Sequence, residues 1–374
     1  MMTETADICI VGGGIIGCSL AFELARAGRQ VVVVESDEVG GKASGEAAGM
    51  LTPLAEADGP GPFLDLGLKG QAMFPEAEAE LKERTGIDIE LLRWGILKLA
   101  CDESEAASLA DRLAWLKEAG LPAEAVSADE LRELEPALSP HILGGLLLPE
   151  DWHVNNRKMT QAYAQAAEGC GAIIHPDRPA TELLVDGGRV IGVATPSGPV
   201  HAGVTVNCAG PWASELAATA GLTLPMEPVK GQLLGLEVSP PPVRHVIYSS
   251  QAYVVPRLGG EVILGTTEEW VGFNIEPTPA GMAAILSGAV GVCPALGEAP
   301  FRRAWAGLRP CPPDLLPYLG WDPRVEGLAV ATGHHRNGIL LAPITARALK
   351  ELLFDETPSV DLAPFQVDRH PSAA

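Results

Sequence analysis

Basic residues are scarce in this 374-residue chain: 26 Lys and Arg stand against 48 Asp and Glu, a formal net charge of −22. A surface that acidic repels nucleic acid and anionic lipid, which excludes both as partners. No apolar run reaches the roughly eighteen residues of a membrane span, and no basic segment precedes the first apolar run, Ile8 to Val11. The seven cysteines form no CxxC pair, and the eight histidines are scattered apart from His334-His335. No metal site is expected from such spacing. Cys9, Cys18 and Cys208 lie inside apolar runs, as buried reduced thiols do. Low-complexity tracts are also missing, although 42 glycines and 32 prolines mark many turns. These absences point to a soluble, cytoplasmic protein kept in a reducing compartment.

What is present is organised around Ala6 to Glu35. A short apolar run (Ile8, Cys9, Ile10, Val11) reads as a buried strand. Gly12-x-Gly14-x-x-Gly17 follows and opens a helical pattern that Gly28 closes. A second apolar run, Val31 to Val34, ends on Glu35. This is a βαβ unit with the dinucleotide-binding glycine pattern in register. Gly12 allows a tight turn, and Gly14 leaves no Cβ between the backbone and a pyrophosphate. Gly17 lets the helix close on the strand, and the helix N-terminus offers unpaired N–H groups to the anion. Glu35 can accept hydrogen bonds from a ribose diol and would repel a 2′-phosphate, which favours FAD or NAD over NADP. The small-residue segment Ser36 to Leu51 follows, where Lys42 and Ser44 are placed to meet phosphate oxygens.

Helices are expected over about 65–85, after Asp102-x-x-Glu105, after Ser127-x-x-Glu130, and from Asn155 or Asn156 to Gly169. Ile87 to Ala100 reads as strands. Ala180 to Ala194 is a hairpin turning at Asp186-Gly187-Gly188, and Val204 to Gly210 is a buried strand. Leu328 to Thr332 is a last apolar strand, leading through Gly333 and Gly338 into a helix over 339–354. The length predicts two domains. The fold class expected is α/β, a Rossmann-like cofactor domain (1–85, 146–221, 316–374) interleaved with an α+β substrate domain (86–145, 222–315).

A second helix N-terminus near Gly338 points modestly to a flavin, whose reduced ring needs anion stabilisation where a nicotinamide does not. Three polar side chains stand out. Arg309, in Trp305-Ala306-Gly307-Leu308-Arg309-Pro310, can grip a carboxylate with two parallel hydrogen bonds, or else form a buried structural ion pair. Arg336 lies in a glycine-bounded loop and could equally be surface charge. Tyr253 opens a strand and could equally be a core aromatic. No Ser-His-Asp or Cys-His pattern is present. That fits flavin chemistry, in which hydride leaves Cα of a neutral amine for flavin N5 without a catalytic side chain.

Taken together, GGGIIGCSLAFELARAGRQVVVVE, SGEAAGML, VKGQ, YVVPR, WAGLRP and GHHRNGILLAPITARAL resemble the D-amino-acid oxidase-like flavoproteins. Among them, the glycine oxidases of the thiamine pathway are most alike, in matching order from about residue 6 to 365. The resemblance implies a large mixed sheet in the substrate domain and an FAD-dependent oxidation of a small amino acid by dioxygen. Substrate contacts would fall on Arg309, Arg336 and Tyr253. FAD contacts would fall on Ile15, Ile16, Glu35, Ser36, Ala43, Ser44, Ala48, Gly49, Met50, Ala180 beside the adenine, and the run Gly333, His334, His335, Arg336, Asn337, Gly338, Ile339, Leu340. Homotetramers and hand-over of the imine product to thiazole synthase are further implications. Gln251 stands where a close relative has histidine. Gly307 and Leu308 precede the arginine, where related sarcosine oxidases attach FAD to cysteine, so FAD is expected to be non-covalent. The alternatives are an FAD-dependent D-amino-acid or secondary-amine dehydrogenase with another acceptor, and a flavin-binding subunit inactive without a partner chain.

Overall fold

The computed structural model describes residues 4–370. Glu4–Val11 sits near the centre of an eight-stranded sheet and pairs in parallel with Val31–Val34 on one side and Val200–Asn207 on the other. Ile173–His175 extends the sheet beyond Val31–Val34, and Leu328–Thr332 extends it beyond Val200–Asn207. Val31–Val34 and Leu328–Thr332 are buried along their whole length, as strands covered on both faces must be. Antiparallel pieces finish the edges: Tyr318–Trp321, and the hairpin of Glu182–Asp186 with Arg189–Ala194. Helix Ile15–Arg26 packs between Asn156–Gly169 and Gly338–Leu353, and the three bury one apolar cluster with the sheet.

A second eight-stranded sheet runs in the order Phe301–Cys311, Glu227–Glu237, Glu261–Gly265, Tyr253–Pro256, Val246–Tyr248, Ile96–Ala100, Gly144–Leu148, Glu124–Ser127. Only the pair Val246–Tyr248 with Ile96–Ala100 is parallel, so the sheet is mixed. Helix Pro279–Val292 covers its far face. Among the described residues, no helix is long and apolar enough to cross a membrane.

Local expectations hold at most caps. Ser127 and Glu130 form a reciprocal capping box, and Asn155, not Asn156, caps its helix by accepting from Lys158 N. Asp102 accepts from Glu105 N, but the Glu105 carboxylate takes the Cys101 N–H in place of the reciprocal bond. Two expectations are corrected. The helix expected over 65–85 is two helices, Pro62–Ala72 and Phe74–Thr85, because Pro75 lacks an N–H and belongs in a first turn. Of Ile87 to Ala100 only Ile96–Ala100 is a regular strand, since Glu90 and Gly95 take positive φ.

Candidate functional site

A cavity of about 600 Å³ runs between the two sheets, from Glu35 at one end to Arg309 at the other. Its first end is built by the βαβ unit. Gly12 has φ +109°, and a Cβ there would lie 2.4 Å from the carbonyl oxygen of Cys208. Gly14 is the N-cap of Ile15–Arg26, and Ser44 Oγ accepts from Ile15 N at 2.9 Å. Glu35 uses Oε2 to accept from Gly13 N at 2.6 Å, while Oε1 accepts from Ser36 Oγ and Asp37 N. Lys42 reaches the wall while bonded to Asp37, and Ala180 enters from the loop ahead of the hairpin.

The middle of the wall is made by Ala43, Ala48, Gly49 and Met50. Gly49 has φ +78°, and a Cβ there would fall 2.2 Å from the Val154 carbonyl. Arg257, buried and given no role by the sequence beyond its place in the YVVPR motif, pins this turn by donating to Ala48 O at 2.7 Å and Asn156 Oδ1 at 2.8 Å. Opposite lie Gly338 and Ile339, at the start of the last helix, so two helix N-termini face the same space. Both favour negative charge.

At the far end Arg309 is held from strand Phe301–Cys311 by bonds to Thr266 Oγ1 at 2.9 Å and Thr267 O at 3.2 Å. Gly231 leaves room for it, since a Cβ would fall 2.4 Å from its Nη2. Burial lowers the Arg309 pKa, yet among the described residues no carboxylate lies within ion-pair reach of it. Tyr253 is buried, and burial raises its phenol pKa. Arg336 differs. It donates to Tyr248 Oη at 2.7 Å and lies 3.4 Å from Glu56 and 3.5 Å from Glu268. Burial opposes its charge, but Glu56, Tyr248 and Glu268 outweigh it and its pKa rises.

The expected residues Gly12, Gly14, Ile15, Ile16, Glu35, Ser36, Lys42, Ala43, Ser44, Ala48, Gly49, Met50, Tyr253, Arg309, Arg336, His334, His335, Gly338, Ile339 and Ala180 all line the cavity. Gly17, Gly333, Asn337 and Leu340 stand behind it. A Cβ on Gly17 would lie 1.9 Å from Gly12 O, and one on Gly333 would meet Pro312 at 2.6 Å. Asn337 is the N-cap of the last helix, and Leu340 is fully buried in the core.

The cavity fits an extended dinucleotide. The glycines clear a path where a Cβ would intrude, the Glu35 carboxylate lines one end, and two helix N-termini lie along the wall. The family model for FAD dependent oxidoreductases matches residues 7–352. The chain belongs to this family. It is 35% identical over 372 residues to the glycine oxidase of Geobacillus kaustophilus, covering 99% of this chain and 98% of that one. The crystal structure of glycine oxidase from the same organism superposes with a TM-score of 0.96 at 34% identity, over 99% of this chain and 100% of that one. A bifunctional ThiO/ThiG protein of Synechocystis is 36% identical, covering 98% of this chain but only 54% of that longer one. This oxidoreductase therefore uses FAD, and the D-amino-acid oxidase-like fold and the likeness to glycine oxidases read from the motifs hold.

The two adjacent histidines of this oxidoreductase are kept neutral. Burial pushes His334 down to about 3, with Nε2 3.0 Å from Thr345 Oγ1, and pushes His335 down to about 4, helped by Arg309 and Arg336. A pKa below the unfolded value gives stability that is complete above about pH 6.5 and lost as pH falls toward the folded pKa. The stability gap between wild type and His334→Gln should therefore be about 2 kcal/mol smaller at pH 5 than at pH 8. Urea melts at the two pH values measure it, and a gap independent of pH would contradict the buried neutral imidazole.

Proposed function

We propose that this enzyme oxidises glycine or a similarly small amino acid: glycine, dioxygen and water give glyoxylate, ammonia and hydrogen peroxide. The observation that carries the reading is Arg309, a partly buried cation on the cavity wall with no carboxylate of its own among the described residues. A substrate carboxylate would complete it through two parallel hydrogen bonds, with the Tyr253 hydroxyl beside it. That anchoring directs Cα toward the middle of the cavity. Bound FAD supplies the two-electron acceptor there. His335, held neutral, adds no charge that would compete for the carboxylate.

Near-full-length similarity to glycine oxidases supports the substrate class, and the fused relative supports delivery of the glycine imine to thiazole formation. Segments 1–85, 146–221 and 316–374 would hold the cofactor, and 86–145 and 222–315 the substrate, in a cytoplasmic homotetramer. FAD would be non-covalent. Cys208 is the cysteine on the cavity wall, and burial raises its pKa and keeps it an unreactive thiol.

The test is a visible spectrum, anaerobic addition of glycine, and then air. Bleaching near roughly 450 nm, recovery in air and stoichiometric peroxide are expected. Bleaching with recovery only by an artificial acceptor would replace the oxidase by a dehydrogenase. No bleaching with glycine would remove the substrate assignment.

A further inference from the structure

The two guanidinium groups at the substrate end are in opposite electrostatic states. Among the described residues, the hydrogen-bond partners of the Arg309 guanidinium are neutral oxygens of Thr266 and Thr267. Arg336 has two carboxylates, Glu56 and Glu268, and shares Glu56 with the Tyr248 hydroxyl, which donates to Oε1 at 2.9 Å. Of these acids Glu56 lines the cavity itself and is largely shielded from solvent, whereas Glu268 is more open.

Glu56 is also fixed in place. It ends the short helix Pro53–Glu56, whose Leu54 and Ala55 N–H groups donate to the two side-chain oxygens of buried Asp151 at 3.2 and 2.9 Å. Lys98 donates to Ala55 O at 2.8 Å, and Arg112 to Leu54 O at 2.9 Å and to Ala57 O. With its helix held this way and its carboxylate tied to Tyr248 Oη and Arg336, Glu56 would have to break both contacts to swing aside for a like charge.

We propose that Glu56 is a specificity-determining residue: its fixed carboxylate neutralises Arg336 and rejects amines that carry a second anionic group. This rests on the reading of Arg309 as the carboxylate anchor. Glu56 and Glu268 together more than offset the single charge of Arg336, so Arg309 is left as the guanidinium without a carboxylate partner, and one substrate carboxylate satisfies it. A second carboxylate on the amine nitrogen or the side chain meets Glu56, and like charges juxtaposed at a partly buried contact discriminate strongly.

Sarcosine and iminodiacetate form a matched pair, because the second differs from the first by one carboxylate on the N-methyl group. In Glu56→Gln, kcat/KM for iminodiacetate relative to sarcosine should rise by about tenfold or more. Glu268→Gln should shift the ratio in the same direction but less, since its carboxylate stands outside the wall. A thermal melt establishes that each variant is folded. A folded Glu56→Gln with the ratio within about threefold of wild type overturns the proposal. If that variant does not fold, an unmoved ratio in Glu268→Gln does the same.

Binding separates this proposal from the oxidase reading. Calorimetric titration of FAD-loaded protein with (methylthio)acetate and with thiodiacetate compares one and two carboxylates without turnover. Wild type should prefer the monoanion, and Glu56→Gln should lose most of that preference. Should wild type oxidise neither these amines nor glycine, the oxidase reading falls. The thiodiacetate ratio then decides the role of Glu56 on its own.

Discussion

Arg309→Ala is expected to lower kcat/KM for glycine by about 2–5 kcal/mol, a loss of roughly thirtyfold to several thousandfold. The size follows from what the wall would lose. A partly buried guanidinium grips a carboxylate through two charge-assisted bonds, and among the described residues no other unpaired cation stands beside it, because Arg336 is already paired with Glu56 and Glu268. Arg309 also braces Thr266 and Thr267, so part of any loss could come from movement of that loop. Two comparisons separate the causes. Arg309→Lys keeps the charge but not the planar fork, and should fall between wild type and alanine. A carboxylate-free amine of similar size, such as ethylamine, should lose far less than glycine in the alanine variant. If glycine KM is unchanged in Arg309→Ala, or if ethylamine suffers equally, Arg309 is a structural brace and the carboxylate anchor lies elsewhere.

The parts of this molecule legible in the sequence are those whose physical signal is local. Gly12, Gly14, Gly17, the run Val31 to Val34 and Glu35 lie within one βαβ unit, so the chain itself keeps them in register. Leu328–Thr332 could be read to the residue because a strand covered on both faces is continuously apolar. Arg309 stood out because a lone arginine among apolar neighbours has few reasons to be there. Glu56 and Tyr248 gave no such signal, and Arg257, though part of the YVVPR motif, gave no hint of what it holds. Tyr248 meets Glu56 across 192 residues, and Arg257 meets Asn156 across 101, so nothing near any of them in sequence announces the partner. Helix Pro279–Val292 also went unread. Gly281 and Gly288 weaken its propensity, yet a Cβ at either would meet the Gln232 side chain at 2.4 Å or the Gln251 carbonyl at 2.5 Å. Close approach to the sheet required glycine at places where local preference argues against it.

The same distinction between backbone clearance and ligand clearance gives the second large effect. Gly17→Ala would put a Cβ 1.9 Å from the carbonyl oxygen of Gly12, a distance that no rotamer can relieve because both atoms belong to backbone. Helix Ile15–Arg26 would have to move off strand Glu4–Val11, opening the apolar cluster that holds Ile10, Cys18 and Leu20. Gly14→Ala is milder for the fold. Its φ of −75° and ψ of −178° suit any residue, and the nearest atom to a Cβ is Ser44 Oγ at 3.0 Å, a side chain that can turn. What that methyl group would occupy is the approach to the helix N-terminus, where a pyrophosphate must come close to bare backbone. Gly17→Ala should therefore be poorly soluble or melt far below wild type. Gly14→Ala should melt close to apoprotein and still bind FAD at least about tenfold more weakly, the cost of one blocked contact of about 1.4 kcal/mol. Melting temperature with and without added FAD, and flavin content after gel filtration, read both effects. Equal melting and full yellow colour in Gly14→Ala would mean that the pyrophosphate lies away from this turn, and the cavity would have to be read with the dinucleotide in a different direction.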